Sequence, residues 1–306
     1  MDNFPLIPIV DLHIHPQTIG WSEVEELAMS NYRGMQEVAT NYHWAAHIPV
    51  PQDEVKFLWN YALHWAKYAE RTHGILTRVQ IAIHTLAKVM DTDKLLEYMP
   101  NFIKEHRDQI TAIGETGIEP TQYGGALWSY EEQKKILGKQ LEIAKELQIP
   151  MIFHTPTYKT PSQGAWDPNL TIQREKWPEA KIEAAKIDME LAKDSGIDPS
   201  KVVIDHADGN IADDVLGKTK YHIAFSVAFV WRNVGADTVA KYIKKYGSDR
   251  IIVDSDIAGN SYYEILAVPR VARNLIRLGI SATDVRKVVF DNPSKVMGIT
   301  KDLKEL

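Results

Sequence analysis

Eight short apolar runs, several of them β-branched, recur along the chain, and a segment of helical pattern follows nearly every one. This alternation restricts the accessible folds more than any other feature. The runs lie near residues 6–12, 35–40, 77–83, 110–114, 150–153, 201–204, 223–227 and 250–253. Short apolar runs of this kind read as buried strands, and the helical segments between them as the crossovers that parallel strands require. The stretch "SYEEQKKILGKQLEIAKEL" shows the helical pattern best: Ser129 and Glu132 make a capping box, and Ile136, Leu137, Leu141, Ala144 and Leu147 form one apolar stripe. "SYYEILAVPRVARNLIRLG" repeats the device with Ser261 and Glu264 and closes on Gly279 as a C-cap. Residues 53–71 and 178–194 also read as helices. "GMQEVATNY" is polar for a strand and competes with an irregular segment.

Eight strand-helix units in 306 residues predict an α/β fold, a parallel eight-stranded (β/α)8 TIM barrel with its active site at the C-terminal strand ends. The competing fold is an open doubly wound sheet. No Gly-x-Gly-x-x-Gly or Gly-Lys-Ser/Thr turn follows the first strand, where that fold would hold a phosphate. No low-complexity tract or Gly/Ser linker divides the chain, so residues 1–306 are expected to form a single domain. Two connections are long for compact units: 41–52, rich in aromatic and His residues, and 155–177, rich in Pro, Gly, Thr and Gln.

The absence of cysteine excludes disulfides, thiolate zinc sites and a cysteine nucleophile, and leaves any metal to His, Asp and Glu. No basic leader and no run of about twenty apolar residues is present, so a soluble, cytoplasmic protein without membrane association is expected. A formal net charge of −6 argues against strong general binding to nucleic acid and leaves a small molecule or an oligonucleotide as substrate; a homo-oligomer stays open.

Residue types that ligate metals collect at the strand exits, where this architecture builds its sites. In "IVDLHIHP", His13 and His15 are two apart on an extended segment and share a face. The third run ends at His84, the fourth at Glu115, the fifth at His154, the sixth at His206 and the eighth at Asp254 and Asp256. Five of the eleven histidines therefore fall at exits. Taken singly, each has an ordinary alternative: a histidine bonded to a loop carbonyl, a solvated Glu115, an Asp256 acting as N-cap. Jointly, one Glu, one Asp and several His at a single barrel mouth would bury competing charges unless a cation held them.

These motifs resemble the TatD-like metal-dependent hydrolases of the amidohydrolase superfamily. The resemblance is carried by "DLHIHP", "AIGETGIEP", "IPMIFHTP", "VVIDHADG", "IIVDSDIAG" and the terminal "DNPSKVMGI". It implies that His13, His15 and Asp256 hold one metal, that His154 and His206 hold another, and that Glu115 bridges them. The implied cofactors are two divalent ions, zinc first, with manganese, nickel or magnesium as alternatives. Alternation cannot choose between Asp254 and Asp256; the family pattern selects Asp256. The implied catalytic residues are Asp256, which accepts a proton from the attacking water, His84, which orients substrate or steadies developing charge, and Glu115. Glu119 stands where many members have Asp, and Lys159 and Arg232 are candidates to meet an anionic substrate.

Hydrolysis of phosphodiesters or nucleic-acid ends is the activity so implied. Three departures bear on it. Thr155 and Pro156 follow the strand-five histidine where many family nucleases carry an arginine, "HADGN" replaces the usual strand-six pattern, and the 157–177 insertion is long. With the aromatics Tyr42, Trp44 and Trp128, these departures favour a second reading, hydrolysis of an amide, lactone or other carbonyl compound. A non-catalytic metal-binding barrel is the third, and the intact ligand set speaks against it.

Overall fold

Each of the eight apolar runs becomes a strand in the computed structural model, which describes residues 6–40, 49–119, 128–156, 177–228, 234–259 and 263–305. The strands are β1 (Ile9–Ile14), β2 (Tyr32–Val38), β3 (Leu76–Ile81), β4 (Ile110–Thr116), β5 (Met151–Phe153), β6 (Val202–Ile204), β7 (His222–Ser226) and β8 (Ile251–Asp254). A helix follows each in turn: α1 (Trp21–Met29), α2 (Gln52–His73), α3 (Thr92–Glu105), α4 (Tyr130–Leu147), α5 (Trp177–Ser195), α6 (Ala212–Lys218), α7 (Ala236–Tyr246) and α8 (Ala267–Arg277). One eight-stranded sheet runs in chain order from β1 to β8. The last strand returns to the first: the Asp256 amide donates to the His13 carbonyl at 2.7 Å and the His15 amide to the Ile257 carbonyl at 2.8 Å. Sequential order with that return is the strand arrangement of a (β/α)8 barrel and rules out the open doubly wound sheet. Every residue of β1, β4, β5, β6, β7 and β8 is buried, as befits parallel strands covered on both faces.

The chain divides into two compact units. The first comprises Met1–Glu37, His64–Arg78 and Ala207–Leu306, the second Val38–Leu63 and Val79–His206.

In the first unit the "DNPSKVMGI" segment secures the start of β8. Asn292 Nδ2 donates to the Ser248 and Ile251 carbonyls at 2.8 and 2.7 Å. Helix α8 begins at Ala267, later than the 261–264 capping box predicts. Glu264 lies in the preceding turn and pairs with Arg270, and Ser261 falls outside the described residues. The C-terminal expectation holds, since Gly279 takes a φ of +80°, the left-handed conformation glycine supplies without strain.

In the second unit the predicted Ser129–Glu132 capping box opens α4. Ile136, Leu137, Leu141 and Ala144 face inward as expected, while Leu147 is half-buried. The same face buries Gln140, whose Oε1 accepts the Ile83 amide at 2.8 Å and whose Nε2 donates to the Ile83 carbonyl and to Thr116 Oγ1. One glutamine thus pins the exits of β3 and β4 to α4, the helix that follows β4.

His222, the first residue of β7, is buried, and burial, reinforced by Lys295 and Arg250, pushes its imidazole down to about 4. The folded protein keeps this ring neutral while the unfolded chain protonates it near 6.5, so stability is lost as pH falls from about 6.5 to about 4. At about 1.4 kcal/mol per pH unit, the loss is on the order of 3 kcal/mol. Denaturant melts of wild type and His222→Gln across that window are expected to show a visibly flatter acid limb for the variant. Parallel limbs would assign the acid sensitivity to other groups.

Candidate metal centre

The first unit brings His13, His15 and Asp256 together. Strand parity aims Asp11, His13 and His15 at one face, and all three are buried. Asp256 reaches the histidines because the chain leaves β8 through a residue with φ of +53°, a left-handed conformation that turns its side chain toward β1. His13 Nε2 and His15 Nε2 are 3.3 Å apart, and Asp256 Oδ1 lies 3.4 and 3.5 Å from them. These three edges exceed the usual N–H···O span of about 2.7–3.2 Å. They match the spacing of about 3.3–3.4 Å between neighbouring ligands on a tetrahedral cation with bonds of 2.0–2.1 Å. Two imidazole nitrogens and a carboxylate oxygen, buried and converging at that spacing, form a donor set that fits a divalent metal.

Asp11 braces this cluster and was not singled out from the sequence. Its Oδ1 accepts the amides of His13 at 3.2 Å and Ser255 at 3.0 Å, tying the backbone of one ligand strand to the other. Burial raises its carboxyl to about 6, against the lowering effect of the Ser255 and His13 bonds. Its parity with His13 and His15 was the available signal.

The second unit gathers His84, Glu115, His154 and His206. All are buried, and three imidazoles surround one oxygen: Glu115 Oε1 lies 2.6 Å from His154 Nδ1, 3.1 Å from His206 Nε2 and 3.5 Å from His84 Nε2. Thr40 Oγ1 faces the other oxygen at 3.4 Å. His84, Glu115 and His154 are close enough to form a metal triad. The ring of His84 argues otherwise, because its Nδ1 accepts the Leu86 amide at 3.0 Å. An accepting nitrogen carries no proton, so the proton of the neutral ring sits on Nε2, and His84 presents Glu115 with a donor rather than a lone pair.

Local backbone fixes these positions. Gly117 lets the β4 exit pass against β5, for a Cβ there would collide with the His154 carbonyl. Glu119 is buried and held by Gln133, which accepts its amide at 2.8 Å and donates to its carbonyl at 3.0 Å; its Oε2 stands 3.9 Å from His154 Nε2. Thr155, at the position where an arginine is common, is buried and donates to the Asp205 carbonyl at 2.6 Å. Trp128 donates to the Ala87 carbonyl at 2.9 Å, with Lys88 over its ring. Asp254 is buried within β8. Lys159, Arg232, Tyr42 and Trp44 lie outside the described residues, as does 157–176 of the insertion.

Comparison with known proteins agrees with this donor chemistry. A family model described as TatD related DNase matches residues 10–298. A protein of Methanocaldococcus jannaschii named as a metal-dependent hydrolase is 24% identical over 284 residues, covering 93% of this chain and 97% of its own. A deoxyribonuclease of Homo sapiens is 29% identical over 89 residues, 29% of this chain and 30% of that protein. Among solved structures, a TatD-like protein from Archaeoglobus fulgidus superposes with a TM-score of 0.66 at 20% identity, over 94% of this chain and 99% of its own. No helix among the described residues is long and apolar enough to cross a membrane.

Proposed function

The chain belongs to the family of TatD-related DNases and is a metal-dependent hydrolase, and from that premise we propose that it works with two divalent ions, zinc first, and hydrolyses phosphodiesters at nucleic-acid ends. The observation that carries the metal reading is the His13, His15 and Asp256 triangle, whose edges of 3.3, 3.4 and 3.5 Å suit a coordination shell better than hydrogen bonds. In the proposal these three residues hold one ion, and His154, His206 and Glu115 contribute to a second.

A divalent ion, when bound, would supply a water whose pKa is lowered toward about 7 and a Lewis acid for the struck oxygen. The remaining roles belong to the protein. Asp256 takes the proton of the attacking water and passes it to the leaving group. His84 directs its Nε2 proton toward Glu115 and the charge that develops nearby. Asp11 keeps the strands of His13 and Asp256 in register through the His13 and Ser255 amides.

A second reading, hydrolysis of a carbonyl substrate, is favoured by Thr155. Its hydroxyl is turned inward to the Asp205 carbonyl and offers nothing cationic for a phosphate. The deciding experiment is metal analysis of purified protein, followed by parallel assays on a model phosphodiester, a short single-stranded oligonucleotide and a lactone. Bound divalent metal is expected, with phosphodiester turnover that a chelator removes and added zinc or manganese restores. Lactone turnover alone would transfer the assignment to carbonyl chemistry. Chelator-resistant turnover would end the metal mechanism.

A further inference from the structure

We infer that α5 is a positioning strut for the second-unit site and that Lys181 is the residue that holds His206 in its working conformation. The inward face of α5 consists of Lys181, Ala184, Ala185, Asp188 and Ala192, all buried, whereas Ile182 is 37% exposed. An amphipathic helix normally buries its large apolar residues. Here the buried stripe is three alanines and two ionisable side chains. The alanines let the helix backbone approach closely, and Lys181 and Asp188, about two turns apart, reach past them to the strand exits.

Their targets are the loops that carry the site. Lys181 Nζ donates to the Pro156 carbonyl at 3.0 Å and to the His206 carbonyl at 2.6 Å. Asp188 Oδ1 accepts the Ile118 amide at 3.0 Å. Pro156 is two residues beyond His154, and Ile118 three beyond Glu115. A single helix therefore grips the exits of β4, β5 and β6.

His206 needs the grip most. Its φ is +54°, a left-handed conformation that costs a residue bearing a Cβ. Both ends of its backbone are engaged: the amide donates to Asp205 Oδ1, and the carbonyl accepts from Lys181 and, at 3.3 Å, from Thr155 Oγ1. Leaving the left-handed region rotates this peptide plane and carries the carbonyl away from a buried ammonium. Charge-assisted bonds are about twice as strong as neutral ones, so lysine opposes that rotation more firmly than a neutral donor. The locked backbone aims the ring, with Nε2 at 3.1 Å from Glu115 Oε1.

The functional consequence rests on the reading of His206 as a metal ligand, whereas the conformational one does not, and the test separates them. Lys181→Met and Lys181→Arg are crystallised without metal, and zinc and manganese affinities are measured by calorimetry against wild type. In Lys181→Met, His206 is expected to leave the left-handed region and metal affinity to fall by about 10- to 100-fold, the usual effect of losing an outer support of a ligand. Lys181→Arg is expected to preserve both. If Lys181→Met does not fold, Lys181→Gln, which keeps a donor for one carbonyl, is read in the same way. A Met or Gln variant whose His206 stays left-handed beside Glu115, or which binds metal like wild type, overturns the proposal. A wild type that takes up no metal defeats the metal reading instead, and the metal-free crystals still decide the role of Lys181.

Discussion

Asparagine at position 256 is expected to leave a folded protein that retains metal but hydrolyses its substrate at least about 10³-fold more slowly, within the 10²–10⁴-fold range of a positioned general base. Asp256 faces two demands. As a donor it completes the triangle with His13 and His15 at 3.4 and 3.5 Å. As a base it must take a proton from the attacking water. Asparagine has the same shape and keeps a carbonyl oxygen where the carboxylate Oδ1 stood, so it meets most of the first demand. It cannot meet the second, because an amide does not accept a proton near neutral pH. The substitution therefore divides binding from chemistry, and kcat should collapse while metal content, by elemental analysis, falls far less. Turnover within tenfold of wild type, with metal retained, would remove Asp256 from the proton path.

The barrel was legible because parallel strands covered on both faces read as short apolar runs whatever their neighbours. The strand ends were less so, and the site is the reason. The apolar run at β1 stops at Leu12, yet the strand continues through His13 to Ile14; β4 runs past Gly114 to Thr116, and β8 includes Asp254. At the mouth of the barrel the inward side chains are polar, so the apolar signature fades where function begins. β2 carries the same lesson further: Gln36 and Glu37 are polar and fully buried, and the strand begins at Tyr32, ahead of the stretch that pattern alone could mark.

Residue types at the site were legible; their aim was not. Alternation treats Asp254 and Asp256 alike, and only the left-handed turn at Asp256, matched by the one at His206, shows which side chains swing across the strand ends. The tautomer of His84 depends on the Leu86 amide, which no spacing rule reveals. In α5 the apolar pattern is misleading outright, since Lys181 and Asp188 go inward and Ile182 outward. Hydrogen bonds to buried backbone outweighed side-chain hydrophobicity there, because unsatisfied carbonyls and amides at the strand exits are costly.

Glu115 is the second position where a single substitution should have a large effect, and Glu115→Gln tests it more cleanly than Glu115→Ala. Alanine would open a cavity and leave the buried imidazoles of His154 and His206 without the carboxylate oxygen they share at 2.6 and 3.1 Å, so loss of folding and loss of metal would be confounded. Glutamine keeps the volume and an oxygen within reach of His154 Nδ1, which now stands 2.6 Å from Glu115 Oε1; it removes the negative charge and turns the oxygen that faces Thr40 into an amide donor, which the Thr40 hydroxyl can meet by rotating. That charge is what a cation among neutral imidazoles requires. Metal content is expected to fall below the two ions of the proposed centre, affinity to drop on the order of 10²-fold or more, and hydrolysis to be lost. A 100-fold weaker affinity lowers metal-linked stabilisation by about 2.7 kcal/mol. The gain in melting temperature on adding zinc should therefore shrink in the variant, while the metal-free proteins melt within a few degrees of each other. Undiminished metal content with full turnover in Glu115→Gln would leave the histidines around Glu115 as an ordinary hydrogen-bond network and confine the metal to His13, His15 and Asp256.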